Sequence, residues 1–360
     1  MSDVKSPAGA GPDVQDLEPG PGPGLGPMAG KLLREPVVLS VLAVAFLAWS
    51  LRFAGSALLF QLTEMLIAIL FAVAVSYVMG VSGTPAFGNQ LFYAGAAYLV
   101  AIMTTRFNVD NVLELCGASI VLGVVMGGVI SLLLKKITGV AFGMVTLAIS
   151  QMAYVYVGIS NYLGSDNGLS GISPGTFFGV SLLDPDRMLI FVWAVVVLGV
   201  IVIALITRSR LGLLTRASRD SASRASAIGI PTFRYHATAF IIGAAICGLA
   251  GSLTAITVGT VDQDMFYWTA GAAPILAGLL GGIRTIKGPI AGSIILSIII
   301  IWVSTLTTSW LLLEGAITLG VFLIWPQGLL GEGSGSGLAA ARSLTRRIAR
   351  SRRQPKVTSS

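Results

Sequence analysis

The chain has 360 residues, of which 54% are hydrophobic and only 11% charged, against roughly 25% charged in a typical soluble domain. So little charge cannot cover a water-facing surface, which excludes an ordinary soluble protein, and a mean hydropathy of +0.86 makes lipid the solvent for most of the chain. The net charge of +7 is gathered in two islands outside the apolar runs, residues 208–236 with six Arg against one Asp and residues 332–360 with six Arg and one Lys against one Glu, a pattern of inner membrane loops rather than of a nucleic-acid groove.

Residues 1–36 are expected to form a disordered cytoplasmic tail. The first 30 are rich in Pro and Gly and lack the compact apolar stretch and small-residue cleavage site of a signal peptide. The sequence GPMAGK at 26–31 has too few residues between its glycines, and no Ser or Thr after the Lys, for a phosphate loop. Residues 37–331 read as one transmembrane domain. A spanning helix needs about 20 largely apolar residues, and such runs fall near 37–51, 57–79, 86–104, 112–134, 139–160, 188–207, 237–259, 269–283, 289–308 and 311–325. These give about ten spans. The first and last are short, and the run from 269 holds Pro274 and a glycine cluster that can break it. Residues 332–360 complete the chain as a basic cytoplasmic tail. With both termini inside, the inner connections carry Lys135, Lys136, the 208–236 stretch and Arg284 to Lys287. The outer ones carry Asp110, Asp166, Asp184, Asp186, Asp262 and Asp264, with Arg52, Arg106 and Arg187 the only outer cations.

Catalytic chemistry is missing. No HExxH, GxSxG or paired-carboxylate motif occurs, and the single histidine, His236, lies in the basic inner loop. Cys116 and Cys247 sit in apolar runs without neighbours at metal-ligand spacing, so they read as packing residues and no metal site is expected. Glu64 alone lies well inside an apolar run, either as a pathway or gating carboxylate or as a helix-end residue at the outer interface. Gly123 and Gly127, like Gly278 and Gly282, have the four-residue spacing that lets helices approach closely.

The inner connection 208–236 has the shape of a docking element. Its 216–228 portion is rich in Ala, Ser and Arg, and stops at Gly229 with Pro231 beyond. This predicts one short helix at the inner surface with Ala217, Ala225 and Ile228 on a common face.

The stretch RASRDSASRASAIGI (216–230) resembles the coupling helix of the permease subunits of bacterial ATP-driven importers for branched-chain amino acids, a family that also includes permeases for urea, amides and some sugars. Further matches are VSGTPAFGNQLFYAGAAY (81–98), GVAFGMVTLAIS (139–150), LGSDNGLSGI (163–172), AGLLGGIRTIKGPIAG (277–292) and WPQGLLG (325–331). They cover most of residues 60–331 in order. The chain departs from the family in lacking a Glu near Ser226, a His near Asn89 and an Asn near Ser76. The resemblance implies an all-α, inverted-repeat permease of the bacterial inner membrane. It implies as partners a second permease, identical or homologous, two cytoplasmic ATPases and an extracytoplasmic binding protein. No cofactor is implied for this chain, since ATP and Mg would be bound by the ATPases, and no nucleic acid is a partner.

The coupling residues it implies are Arg216, Ala217, Arg219, Asp220, Ala225 and Gly229. Candidate pathway residues are Glu64, Ser82, Gly83, Thr84, Asn89, Gln90, Thr146 and Gln151, and the outer segment 161–187 offers Asp166, Asp184 and Asp186 to the binding protein. With selection left to that protein, a pathway poor in charge suits a branched-chain or other apolar amino acid. Urea, amides or sugars are the alternative within the family, and an ion-coupled secondary transporter the alternative outside it. A membrane enzyme moving a lipid or acyl group would need the polar cluster that is missing.

Overall fold

Backbone groups in lipid must find their hydrogen bonds within the chain, and here the apolar runs do so as helices. A computed structural model describes residues 55–137, 139–306 and 315. The expected spans 37–51 and, apart from Gly315, 311–325 lie outside the described residues, as do the tails 1–36 and 332–360. Helix α1 (Ser56–Tyr77) runs on into a π-helical turn, Val78–Ser82, that ends at Gly83. The other long helices are α2 (Gln90–Phe107), α3 (Val112–Leu133), α4 (Val140–Ile159) and α5 (Pro185–Arg208). Two short helices, α6 (Arg210–Asp220) and α7 (Ala222–Ala227), lead to α8 (Thr232–Val258), α9 (Trp268–Gly281) and α10 (Lys287–Leu306). Among the described residues, five helices are long and apolar enough to cross a membrane: α1 with its π turn, α3, α4, α5 and α8.

Two boundaries differ from the sequence reading. The run 86–104 becomes helical only at Gln90, because Gly83 takes a left-handed conformation (φ 67°) and the chain from there to Asn89 is a loop. The 269–283 run is not broken at Pro274, which lies inside a helix continuing to Gly281.

Helix α8 is the hub, packed against α1, α2 and α3. Glycines make this possible. A Cβ at Gly123 would collide with the Ala244 carbonyl and the Ala245 Cα, and one at Gly127 with the Ala244 Cβ, so α3 and α8 run antiparallel with backbones nearly touching. On α8 itself, Gly243 faces Val78 and Gly251 faces the Tyr93 backbone. Cys116 and Cys247 are buried free thiols. The outward faces of α3, α4 and α5 carry exposed Val125, Leu132, Met152 and Leu205, as contact with lipid or an apolar partner demands.

The connections gather at two ends. At one end the Thr176 N–H donates to the Asp110 carbonyl (2.6 Å) and Arg106 stacks on the Tyr162 ring, 3.7 Å from its centroid. There β1 (Leu169–Ser170) pairs antiparallel with β4 (Thr260–Val261), and β2 (Thr176–Phe177) with β3 (Val180–Ser181). At the other end lie α6, α7, the α1–α2 loop, the α3–α4 turn with Lys135 over the Phe233 ring, and the α9–α10 turn. Every described Lys and Arg except Arg106 and Arg187 belongs to this second end, whereas the outer Asp residues of the sequence reading belong to the first.

Candidate functional site

The basic end is built around α6. Ser209 is extended (ψ 174°), which breaks the helix after α5 and turns the chain so that Gly212, Thr215 and Ser218 of α6 face the protein. Arg216 donates back to the Thr207 carbonyl, tying α6 to the end of α5. Arg219 reaches further. Its Nη1 donates to the Gly80 carbonyl in the π turn of α1, while Nε and Nη2 hold Asp220 Oδ1 at 3.0 and 2.9 Å. The guanidinium stem fills the space left by the missing side chain of Gly83, where a Cβ would overlap Arg219 Cγ. Gly80 in turn abuts the Ile283 carbonyl of the α9–α10 turn. Thus α6, the end of α1 and the α9–α10 turn converge on residues 80–83.

The expected single helix over 216–228 is two helices. Ser221 is extended (φ −161°, ψ 98°), ends α6, and caps α7 by accepting the Arg224 N–H at 3.4 Å. The break rotates the second half, so Ala225 is buried within this chain itself while Ala217 and Ile228 are exposed. The common face predicted for these three residues does not exist. The glycine stop does: Gly229 has φ 84°, and the Gly229 and Ile230 N–H groups donate to the Ser226 and Ala225 carbonyls, each at 3.0 Å.

Most of the pathway candidates lie along the α1–α2 loop and its neighbours. Ser82 donates to the Val78 carbonyl (2.7 Å) and accepts the Thr84 N–H (3.3 Å). Asn89 donates to the Ala86 carbonyl, but its Oδ1 and both polar atoms of the Gln90 amide are buried without a partner, Gln90 lying against Gly271 of α9. Gly88 abuts the Thr146 carbonyl, and Gly143 the Pro85 carbonyl, so this loop is seated on α4. Thr146 donates to the Gly143 carbonyl (2.9 Å), and Gln151 to the Phe266 carbonyl (3.4 Å). Glu64 stands apart from the other candidates. It lines a cavity of about 400 Å³ between α1, α2, α8, α9 and α10, which none of them reaches. Of its polar companions there, Asp264 was read only as an outer-connection carboxylate, and Tyr93, Thr254, Ser293 and Ser297 were not read as site residues, their only signal being a hydroxyl in an apolar run.

At the opposite end Asp166 accepts from Gln263 Nε2 (2.9 Å), linking the α4–α5 and α8–α9 connections. Asp184 pairs with Arg187 at 3.2 Å in an exposed bridge, and Asp186 is exposed in the first turn of α5. Among the described residues no group of three or more His, Cys, Asp and Glu could hold a metal ion.

A family model described as the permease component of the branched-chain amino acid transport system matches residues 57–325. The chain belongs to this family. The permease is 26% identical over 329 residues to the high-affinity branched-chain amino acid transport system permease protein LivM of Salmonella typhimurium, an alignment covering 84% of this chain and 76% of that one. It is 32% identical over 148 residues to LivH of Escherichia coli, covering 39% of this chain and 46% of that one. Against BraD of Pseudomonas aeruginosa it is 32% identical over 130 residues, 35% of this chain and 42% of the relative. It is therefore a multi-pass inner-membrane transport subunit and not an enzyme.

Proposed function

We propose that this permease passes branched-chain or similarly apolar amino acids, delivered by an extracytoplasmic binding protein, in a complex with a second permease and two ATPases. The observation that carries the reading is the seat of Arg219 in the gap at Gly83, bonded to the Gly80 carbonyl. A force applied to α6 and α7 from below is transmitted directly to the end of α1, the helix that also lines the cavity through Glu64. Arg216, Ala217, Arg219, Asp220 and Gly229 form this coupling element, with the exposed Ala222, Ser226 and Ile228 as its docking side and Ala225 as its internal anchor.

In this reading the fold has ten spans with both termini inside, arranged as an inverted repeat, and the acidic end faces out. Asp166, Asp184 and Asp186 meet the binding protein there. ATP and Mg belong to the ATPases. Urea, amides or sugars remain the second reading within the family.

Co-expression with ATPase subunits of a branched-chain amino acid importer tests the assembly. The intact permease is expected to co-purify with them, and Ile228→Asp to abolish co-purification while the permease still inserts. Retention of the ATPases by a well-inserted Ile228→Asp variant would remove α7 from the interface.

A further inference from the structure

At the acidic end, the β2–β3 hairpin carries the most exposed of the large apolar side chains among the described residues, Phe178, at 81%. Phe177 and Val180 pair across the two strands, so Phe178 and Gly179 form a two-residue turn, and both have positive φ, 49° and 81°. That is the signature of a type I′ turn, whose first position ordinarily takes Asn, Asp or Gly. A bulky ring there strains the backbone, and so exposed a ring recovers little of that cost by packing on its own chain. The finger is nonetheless braced. Phe178 meets Phe177 edge-on at 4.8 Å between ring centroids, and Phe177 leans on Phe191 of α5 at 5.4 Å. At the stem the Leu182 N–H donates to the Gly175 carbonyl (3.1 Å), Leu182 is buried, and Gly175 lies against Val112 and the Asp110 carbonyl. The hairpin thus holds a phenyl ring firmly away from the protein.

The groups around the finger decide what the ring meets. Val180 and Leu183 beside it are exposed, and so are Asp110, Glu114, Asp184 and Asp186. Arg187 donates to the Ser181 carbonyl (3.5 Å) and pairs with Asp184. Four carboxylates against one guanidinium repel lipid phosphates and attract a protein surface bearing Lys and Arg. We propose that this hairpin is the anchor by which the permease holds its extracytoplasmic binding protein. Phe178 enters an apolar pocket on that protein, Val180 and Leu183 pack at the pocket's edge, and the carboxylates meet a basic rim. Aromatic anchors carry most of the energy of such contacts, whereas rim charges chiefly set the rate of encounter. The proposal rests on the reading of the chain as part of a binding-protein-dependent importer. It adds a division of labour: Phe178 governs how long the binding protein stays, and Asp184 and Asp186 how fast it arrives.

The test uses the assembled importer complex in lipid nanodiscs and the leucine-binding protein purified from the same organism by its affinity for leucine, with docking followed by surface plasmon resonance. Phe178→Asn puts a favoured residue into the turn, so the melting temperature should hold or rise. The dissociation rate should nevertheless increase roughly tenfold or more, with little change in the association rate. Joint Asp184→Lys and Asp186→Lys substitution should do the reverse, slowing association at low salt. A bimane probe on Val180→Cys, the native thiols being buried, should be shielded from aqueous iodide by the docked binding protein and should not be quenched by nitroxide-labelled lipid. A dissociation rate unchanged by Phe178→Asn, weaker docking accompanied by a lower melting temperature, or quenching by the labelled lipid overturns the anchor. ATP-driven leucine uptake is measured on the same complex with the same binding protein. Its presence alongside any of those results removes the anchor alone, and the absence of both docking and uptake in the wild type removes the functional reading beneath it.

Discussion

Arg219 and Gly83 form one device. A guanidinium is long enough to cross from α6 to the π turn of α1 only because residue 83 has no side chain in the way, and the left-handed φ of 67° at that glycine sets the direction of the loop. Any L-residue there would bear about 1–2 kcal/mol of backbone strain and would also collide with Arg219. Gly83→Ala is therefore expected to lower the melting temperature of the purified permease and to abolish uptake. Arg219→Ala should behave differently. It removes the bond to the Gly80 carbonyl, a loss of about 1–3 kcal/mol if that group stays unpaired, and leaves the backbone unstrained. Its signature is ATP hydrolysis that persists with roughly tenfold less transport per ATP, read by paired hydrolysis and uptake assays. Wild-type transport per ATP in Arg219→Ala would disprove the transmission role. The sequence marks both residues as part of conspicuous motifs. It does not show that they touch, because four long helices, α2 to α5, lie between them in the chain and they meet only through tertiary packing.

At the scale of elements, the long helices were legible and their joints were not. Apolar runs of about 20 residues have one stable form in lipid, so α1, α3, α4, α5 and α8 follow from length and composition. The start of α2, the break at Ser221 and the inward turn of Ala225 depend on single residues whose backbone angles are decided by what they pack against. Composition alone made 216–228 look like one helix because serine is compatible with a helix and is also a good cap. The glycine spacing on α3 was informative, since Gly123 and Gly127 both pack against α8. Gly127→Leu should force α3 and α8 apart. An overpacked contact of this kind costs about 1–3 kcal/mol, visible as a lower melting temperature in detergent. Gly128→Leu, one position away with open space around its Cβ, should leave the melting temperature nearly unchanged. Equal effects from the two substitutions would mean that α3 does not pack on α8 through this stripe.

For the whole molecule, the sorting of charge between the two ends was visible in sequence because lipid keeps Lys and Arg in the connections. The placement of Glu64 in a cavity was not, since the walls come from five helices that are distant in the chain. The acidic end gives a prediction about capture. Joint Asp184→Lys and Asp186→Lys substitution should weaken docking of the loaded binding protein, most strongly at low ionic strength. Loss of the exposed Asp184–Arg187 bridge itself should matter little to stability. Docking affinity unaltered in low salt would place the partner elsewhere. The central claim, ATP-driven passage of apolar amino acids, is tested most directly by competition in proteoliposomes holding the complete importer and its binding protein. Labelled leucine uptake should require internal ATP and be suppressed by unlabelled isoleucine and valine, but not by lysine or a sugar. Uptake that proceeds without ATP, or that lysine or a sugar suppresses while isoleucine and valine do not, would contradict the account.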